Sequence, residues 1–108
     1  MKELFKLQAD ICKAMANPIR MEIVYALKDG EKSVGELVET TELTKSNVSQ
    51  HLSVLKKASM VKARREGQNK YYAIANDKLL EACRIMREVL LEQLTDKQKL
   101  MEKLQATK

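Results

Sequence analysis

Apolar positions recur along this chain at two periods, and the places where the period changes mark out its elements. In residues 4 to 16, Leu4, Leu7, Ile11 and Ala14 fall on one stripe and Phe5, Cys12 and Met15 on a neighbouring one, which predicts a first helix with two apolar faces. Asn17-Pro18 interrupts it, because the residue before proline avoids the helical region while proline suits the first turn of the next helix. That second helix is expected from residue 18 to about 28, where Asp29-Gly30 stops it. Ser33-Val34-Gly35-Glu36 has the form of a capping box, in which serine and glutamate satisfy each other's free backbone donors, and it opens a short third helix to about residue 40. After the turn Thr41-Glu42-Leu43, Thr44 can cap a fourth helix with a narrow apolar stripe of Val48, Leu52 and Leu55.

Beyond Ala58 the period shortens. Two runs rich in β-branched and aromatic residues, Met60 to Arg65 and Lys70 to Ile74, flank Glu66-Gly67-Gln68-Asn69 and predict a β-hairpin with a loop of about four residues. Asn76 or Asp77 can cap a long last helix over residues 78 to 94, with Leu79, Cys83, Met86, Leu90 and Leu94 on one stripe and Leu80, Val89 and Leu91 widening it. That stripe exceeds what one small core can cover. Residues 95 to 108 again hold a cap and spaced Leu100, Met101 and Leu104 in a strongly polar setting, and read as a weak helix or a frayed tail.

Length and composition leave this pattern as one domain: 108 residues, 44% of them hydrophobic, with no internal repeat or linker. A chain of this size buries a modest core, so its surplus helix gains most from a second copy, which predicts a dimer. No run of about eighteen apolar residues and no leader-like start are present, and Cys12 and Cys83 are too few for a secreted disulfide framework. A cytoplasmic protein with reduced thiols is expected. The net charge of +5 is unevenly spread: residues 44–72 hold seven Lys or Arg against one acid, whereas residues 1–43 hold six against eight and residues 73–108 seven against six. A polyanion is the partner that such a segment suits.

The chemistry within that segment is specific. With Val48, Leu52 and Leu55 directed at the core, a step of about 100° per residue turns Ser46, Gln50 and Ser53 away from it and leaves Asn47 and Ser49 on the flanks. Exposed helix faces ordinarily favour Glu, Lys and Arg, so a face of short or planar hydrogen-bonding side chains points to reading base edges in a major groove. Lys45 at the helix start suits a phosphate, and Arg64, Arg65, Gln68 and Lys70 in the hairpin suit the backbone or the minor groove beside it. Ser33, Thr44 and His51 complete the surface expected to meet DNA, His51 being a DNA-contacting or packing residue and not a metal ligand, since a lone histidine makes no site. The fold class is mainly α with a small β-hairpin wing, in the order of four helices, two strands and a helix: a winged helix-turn-helix.

Three stretches carry a resemblance to a known family: Lys13-Ala14-Met15-Ala16-Asn17-Pro18-Ile19-Arg20, Ser33-Val34-Gly35-Glu36-Leu37, and Ser46-Asn47-Val48-Ser49-Gln50-His51-Leu52 through Leu55-Lys56-Lys57-Ala58. Over about residues 8 to 94 the chain resembles the ArsR/SmtB family of bacterial winged-helix repressors. The resemblance implies a homodimer built on the first and last helices, bound to an imperfect inverted repeat in double-stranded DNA and released by an inducer, with the two recognition helices about one DNA turn apart. Residues 1–94 would then be the DNA-binding and dimerisation domain and residues 95–108 a polar helical extension or tail. One departure is Ser59-Met60, where the family often has glycine and leucine, so the fourth helix must end without glycine.

Two metal sites of the family are missing their ligands. No cysteine lies in Val34-Gly35-Glu36-Leu37-Val38, and Asp77 stands without any histidine in residues 76–108, so neither metal nor cofactor is expected. The position of the second-helix cysteine in persulfide-sensing members is Tyr25 here. Cys12 and Cys83 remain as sensing candidates, either a thiol switch or two-coordinate soft-metalloid site, or two small buried hydrophobes. The inducer is unknown. An enzyme is excluded, because one histidine, no metal-ligand cluster and no glycine-rich phosphate loop leave no catalytic constellation. The alternatives to an inducible repressor are a constitutive or protein-regulated winged-helix regulator with structural cysteines, or a winged helix whose basic wing meets acidic protein or RNA.

Overall fold

Caps and turns written into the local sequence set most of the helix boundaries. The computed structural model describes residues 1–106 and divides into two compact units, residues 1–77 and the helix beginning at Lys78. In the first unit, α1 (Lys2–Met15) gives way to α2 (Pro18–Ala26) at Asn17, whose side chain accepts from the backbone N–H groups of Ile19 and Arg20 at 2.9 and 3.1 Å. Pro18 occupies the first turn, where no backbone donor is required. The helix stops two residues sooner than its apolar pattern suggests, with Leu27 closing it onto Ile23 and Val24.

The capping box forms as expected: Ser33 Oγ accepts from Glu36 N and Glu36 Oε1 from Ser33 N, both at 3.1 Å, at the start of α3 (Val34–Thr41). Thr41 is buried, donates to the Leu37 carbonyl at 2.6 Å and accepts from Leu43 N, so the turn into α4 (Lys45–Lys57) leaves no buried hydroxyl unpaired. Thr44 caps α4 by accepting from Asn47 N. Ser59 takes the left-handed conformation (φ 61°) that closes α4, with Ser59 N bonding Lys56 O and Met60 N bonding Leu55 O, so the helix does end without glycine.

Two details of the β-region differ from expectation. The hairpin strands β2 (Val61–Glu66) and β3 (Asn69–Ile74) stay paired to Glu66↔Asn69, so the loop is two residues, Gly67-Gln68, with Gly67 at φ 63°. A glycine first in a two-residue loop fits the strand twist, and the ladder gains a residue at each side. The second difference is a short strand β1 (Lys32–Ser33), which pairs antiparallel with β3 through Lys32↔Tyr72 and Ser33↔Tyr71 and makes a three-stranded sheet of order β1-β3-β2. Two residues carry no alternation to read, so only their partner strand reveals them.

The core of this unit joins its four helices and the two hairpin strands. Ile23 and Val24 of α2, Leu37 of α3 and Val48, Leu52 and Leu55 of α4 are almost wholly buried, with Ala14, Met15, Leu27, Met60, Val61 and Tyr72 around them. Each large side chain so placed contributes about 1.5–3 kcal/mol. The second unit is α5 (Lys78–Ala106), one helix of 29 residues. It continues without a break through residues 95–106, where a weak helix or tail was expected, because Gln, Lys, Leu, Met and Glu are good helix formers and neither glycine nor proline intervenes. The last two residues of the 95–108 extension lie outside the described residues. Arg84 pairs with Glu81 and Glu88 one turn away on either side.

Candidate nucleic-acid interface

With α4 held to the core by Val48, Leu52 and Leu55, its opposite side is decided. Ser46, Ser49, Gln50 and Ser53 are exposed and Asn47 is half-buried on the flank, as the helical step predicts. Lys45 and Thr44 lie exposed at the N-terminus, where unspent amides and the positive end of the helix dipole favour an anion. The face therefore offers uncharged donors and acceptors with cations at its edge. Ser33 is placed differently: half-buried, its hydroxyl is committed to the capping box of α3.

His51 is turned away from this face. It is half-buried, and its Nδ1 lies 3.2 Å from Nη1 of Arg20. An arginine N–H can only donate, so Nδ1 accepts and the ring proton resides on Nε2. Nothing in the apolar pattern anticipated the contact, because its partners stand 31 residues apart.

The wing divides its cations into two kinds. Arg64, whose side chain is on the face shared with Tyr71, donates through Nε to Glu31 at 2.8 and 3.0 Å, pairs through Nη2 with the same carboxylate, reaches Glu66 at 2.8 Å and stacks 4.9 Å from the Tyr71 ring centre. These contacts hold the Glu31 carboxyl below its usual range, hydrogen bonding to Arg64 being the main cause, and push the Arg64 guanidinium further up. Arg65 and Lys70 are the opposite case: they are direct cross-strand partners of like charge, and neither has an acidic partner among the described residues. Like charges directly opposite repel, and an anion between them relieves that repulsion. Lys70 also lies 5.5 Å from the Tyr72 ring centre, and Gln68 is exposed at the turn.

Both cysteines are free thiols. Cys12 is exposed on α1, against the expectation that a core role would bury it, and Cys83 is half-buried on α5. Partial burial raises the Cys83 thiol above its ordinary range, with Arg87 opposing, so at neutral pH it is held as the less nucleophilic thiol. Among the described residues no three His, Cys, Asp or Glu side chains gather to hold a metal ion, and no helix is long and apolar enough to cross a membrane. Large apolar side chains stay exposed on the two terminal helices, among them Leu4, Leu7 and Ile11 on α1 and Leu90, Leu94 and Leu104 on α5.

Known proteins share both this sequence and this fold. The profile described as bacterial regulatory protein, arsR family, matches residues 17–63. Over 104 residues, 95% of this chain and 91% of the relative, the sequence is 39% identical to the uncharacterized HTH-type transcriptional regulator Rv0081 of Mycobacterium tuberculosis. The crystal structure of Rv0081 superposes with a TM-score of 0.77 at 40% identity, covering 87% of this chain and 95% of that one. The homodimeric winged helix-turn-helix DNA-binding domain of Mb0332 from Mycobacterium bovis, solved by NMR, gives 0.76 at 32% identity over 86% of each chain. Relatives of both signs occur: the transcriptional repressor BigR of Xylella fastidiosa (TM-score 0.74, 27% identity, 82% of this chain and 91% of that one) and the transcriptional activator HlyU of Vibrio cholerae (42% identity over 66 residues, 61% of each). These proteins are regulators and not enzymes. With a winged helix-turn-helix, a basic wing and a polar uncharged helix face, the chain belongs to the ArsR family of bacterial DNA-binding transcriptional regulators.

Proposed function

We propose that this regulator is a homodimeric repressor that binds an inverted repeat in double-stranded DNA and leaves it when an inducer is bound. The observation that carries this reading is the division within residues 44–75: an exposed row of Ser46, Ser49 and Gln50 with Asn47 beside it on α4, and the unneutralised like-charged pair Arg65 and Lys70 on the wing. The first suits base edges and the second a phosphate. Lys45, Thr44 and Gln68 add to the backbone contacts, Arg64 contributes less because Glu31 and Glu66 already offset its charge, and Ser33 and His51 act from behind the surface.

The homodimer rests on the large apolar side chains left exposed along α1 and along α5, and on the homodimeric state of the Mb0332 domain. In this reading residues 1–94 bind DNA and dimerise, and the rest of α5 is an extension. Cys12 on α1 and Cys83 on α5 both lie on the helices of this interface, where a sulfur compound or soft metalloid that reached them would act on the dimer. The deciding experiment is a footprint on the DNA upstream of the chain's own gene, joined to a reporter. Two protected half-sites about one helical turn apart and reporter expression that rises on deletion of the regulator are expected. An unsymmetrical footprint removes the dimeric reading, falling expression makes the protein an activator, and binding only to acidic protein or RNA removes the operator altogether.

A further inference from the structure

One guanidinium links three helices of the first unit. Arg20 grows from the first turn of α2, its backbone N–H tied to the cap residue Asn17. Its Nε donates to the Ala14 carbonyl at 2.5 Å and its Nη2 to the Lys13 carbonyl at 3.4 Å, both in the last turn of α1. The Lys13 carbonyl also accepts from Ala16 N, so Arg20 adds a second donor there and supplies the donor for the Ala14 carbonyl at the end of α1. The third nitrogen, Nη1, reaches His51 Nδ1 in the middle of α4. A guanidinium is planar and its donors are fixed relative to one another, so its contacts with α1 and with α4 cannot be adjusted separately.

His51 directly follows Gln50 and lies one turn beyond Asn47 on the same helix. We propose that Arg20 is a positioning residue for DNA recognition: through His51 it sets the rotation of α4 against the end of α1, and so the direction in which Asn47, Ser49 and Gln50 point. The apolar stripe of α4, three buried side chains in thirteen residues, settles which side of the helix faces outward. A directional hydrogen bond on the flank of that stripe adds the finer adjustment of rotation that aiming individual side chains requires. The role rests on the reading of α4 as the helix that meets base edges.

A double-mutant cycle on the full chain tests it, with affinities for the footprinted operator and for random DNA measured for Arg20→Met, His51→Leu and their combination. Each single change is expected to lower operator affinity about tenfold, the pair to lower it no further than the worse single change, and random-DNA affinity to stay within about twofold. His51→Asn, whose Oδ1 can stand where Nδ1 stood, is expected to restore most of the operator affinity that His51→Leu loses, at an unchanged melting temperature. Additive single effects, or an Asn variant as poor as the Leu variant, would overturn the proposal. If Arg20→Met does not fold, the comparison of Leu with Asn at position 51 decides alone. Gln50→Ala serves as the control for the underlying reading: if it leaves discrimination unchanged, the assignment of α4 fails, whereas a sensitive Gln50 beside a harmless His51→Leu removes only the positioning role.

Discussion

The fourth helix and the wing are neighbours in sequence, yet they are built on opposite terms. The middle of the outward side of α4, from Ser46 to Ser53, is assembled from uncharged residues whose hydrogen-bonding groups are unspent, with Lys45, Lys56 and Lys57 at the two ends, while the wing gathers cations and commits one of them, Arg64, to Glu31 and Glu66. Uncharged donors and acceptors distinguish one base pair from another; cations grip a backbone that is the same everywhere. The difference teaches that the count of basic residues overstates the charge this wing leaves uncommitted. Arg65 and Lys70, like charges facing one another across the ladder, are the wing cations proposed to meet phosphate.

That contrast can be broken most forcefully on α4. Combining Gln50→Ala with Asn47→Ala is expected to reduce the ratio of operator to random-DNA affinity about thirtyfold or more, since two good base contacts of about 1–3 kcal/mol each total at least about 2 kcal/mol, while binding to random DNA changes little. Equal losses on both DNAs would place these side chains off the base edges. On the wing, Arg65→Ala is expected to weaken both DNAs alike and to make the dependence of log affinity on log salt shallower by about 0.9 per protomer, as loss of one phosphate contact requires. A salt titration of both complexes reads this directly.

A smaller effect is expected at Arg64, where alanine should change the salt slope less than at Arg65, because Glu31 and Glu66 already offset that charge. Its pH dependence has a definite sign. The Glu31 carboxyl is held below its usual range by Arg64, so the pairing is complete above that range and is lost as pH falls through the lowered value, which releases Arg64 only in acid. Equal slopes for the Arg64 and Arg65 variants at neutral pH would mean that the pairing gives way to phosphate. The smallest expected change is Ser59→Gly. The left-handed backbone at φ 61° disfavours serine by roughly 1–2 kcal/mol, part of which the greater freedom of glycine in the unfolded chain removes, leaving a gain of about 0.5–1 kcal/mol in denaturant unfolding. Operator and random-DNA affinities should not move, since the end of α4 keeps its place.

Much of this architecture is written in short stretches of chain. The capping box at Ser33 and Glu36, the Thr44 cap, the break at Asn17-Pro18 and the outward row on α4 all follow from residues within about one helical turn of one another. Short elements made by distant partners leave no such mark. β1 has two residues and exists only because β3 offers it a ladder edge. For residues 95–106 the pattern leaves a weak helix or a frayed tail open, and α5 continues through them because their helix propensity is high.

The sequence by itself determined the order of the five helices and the two hairpin strands, the base-facing candidates of α4 and the concentration of basic charge, because each depends on periodicity, capping or composition and these act over a few residues. Only the tertiary structure decided which of the polar side chains remain available. Arg64 is met by Glu31 from 33 positions away, and His51 by Arg20 from 31. Charges and hydrogen bonds act through space at a few ångströms and leave no periodic mark on the chain, so the partner of a polar group appears only once folding has brought the two together.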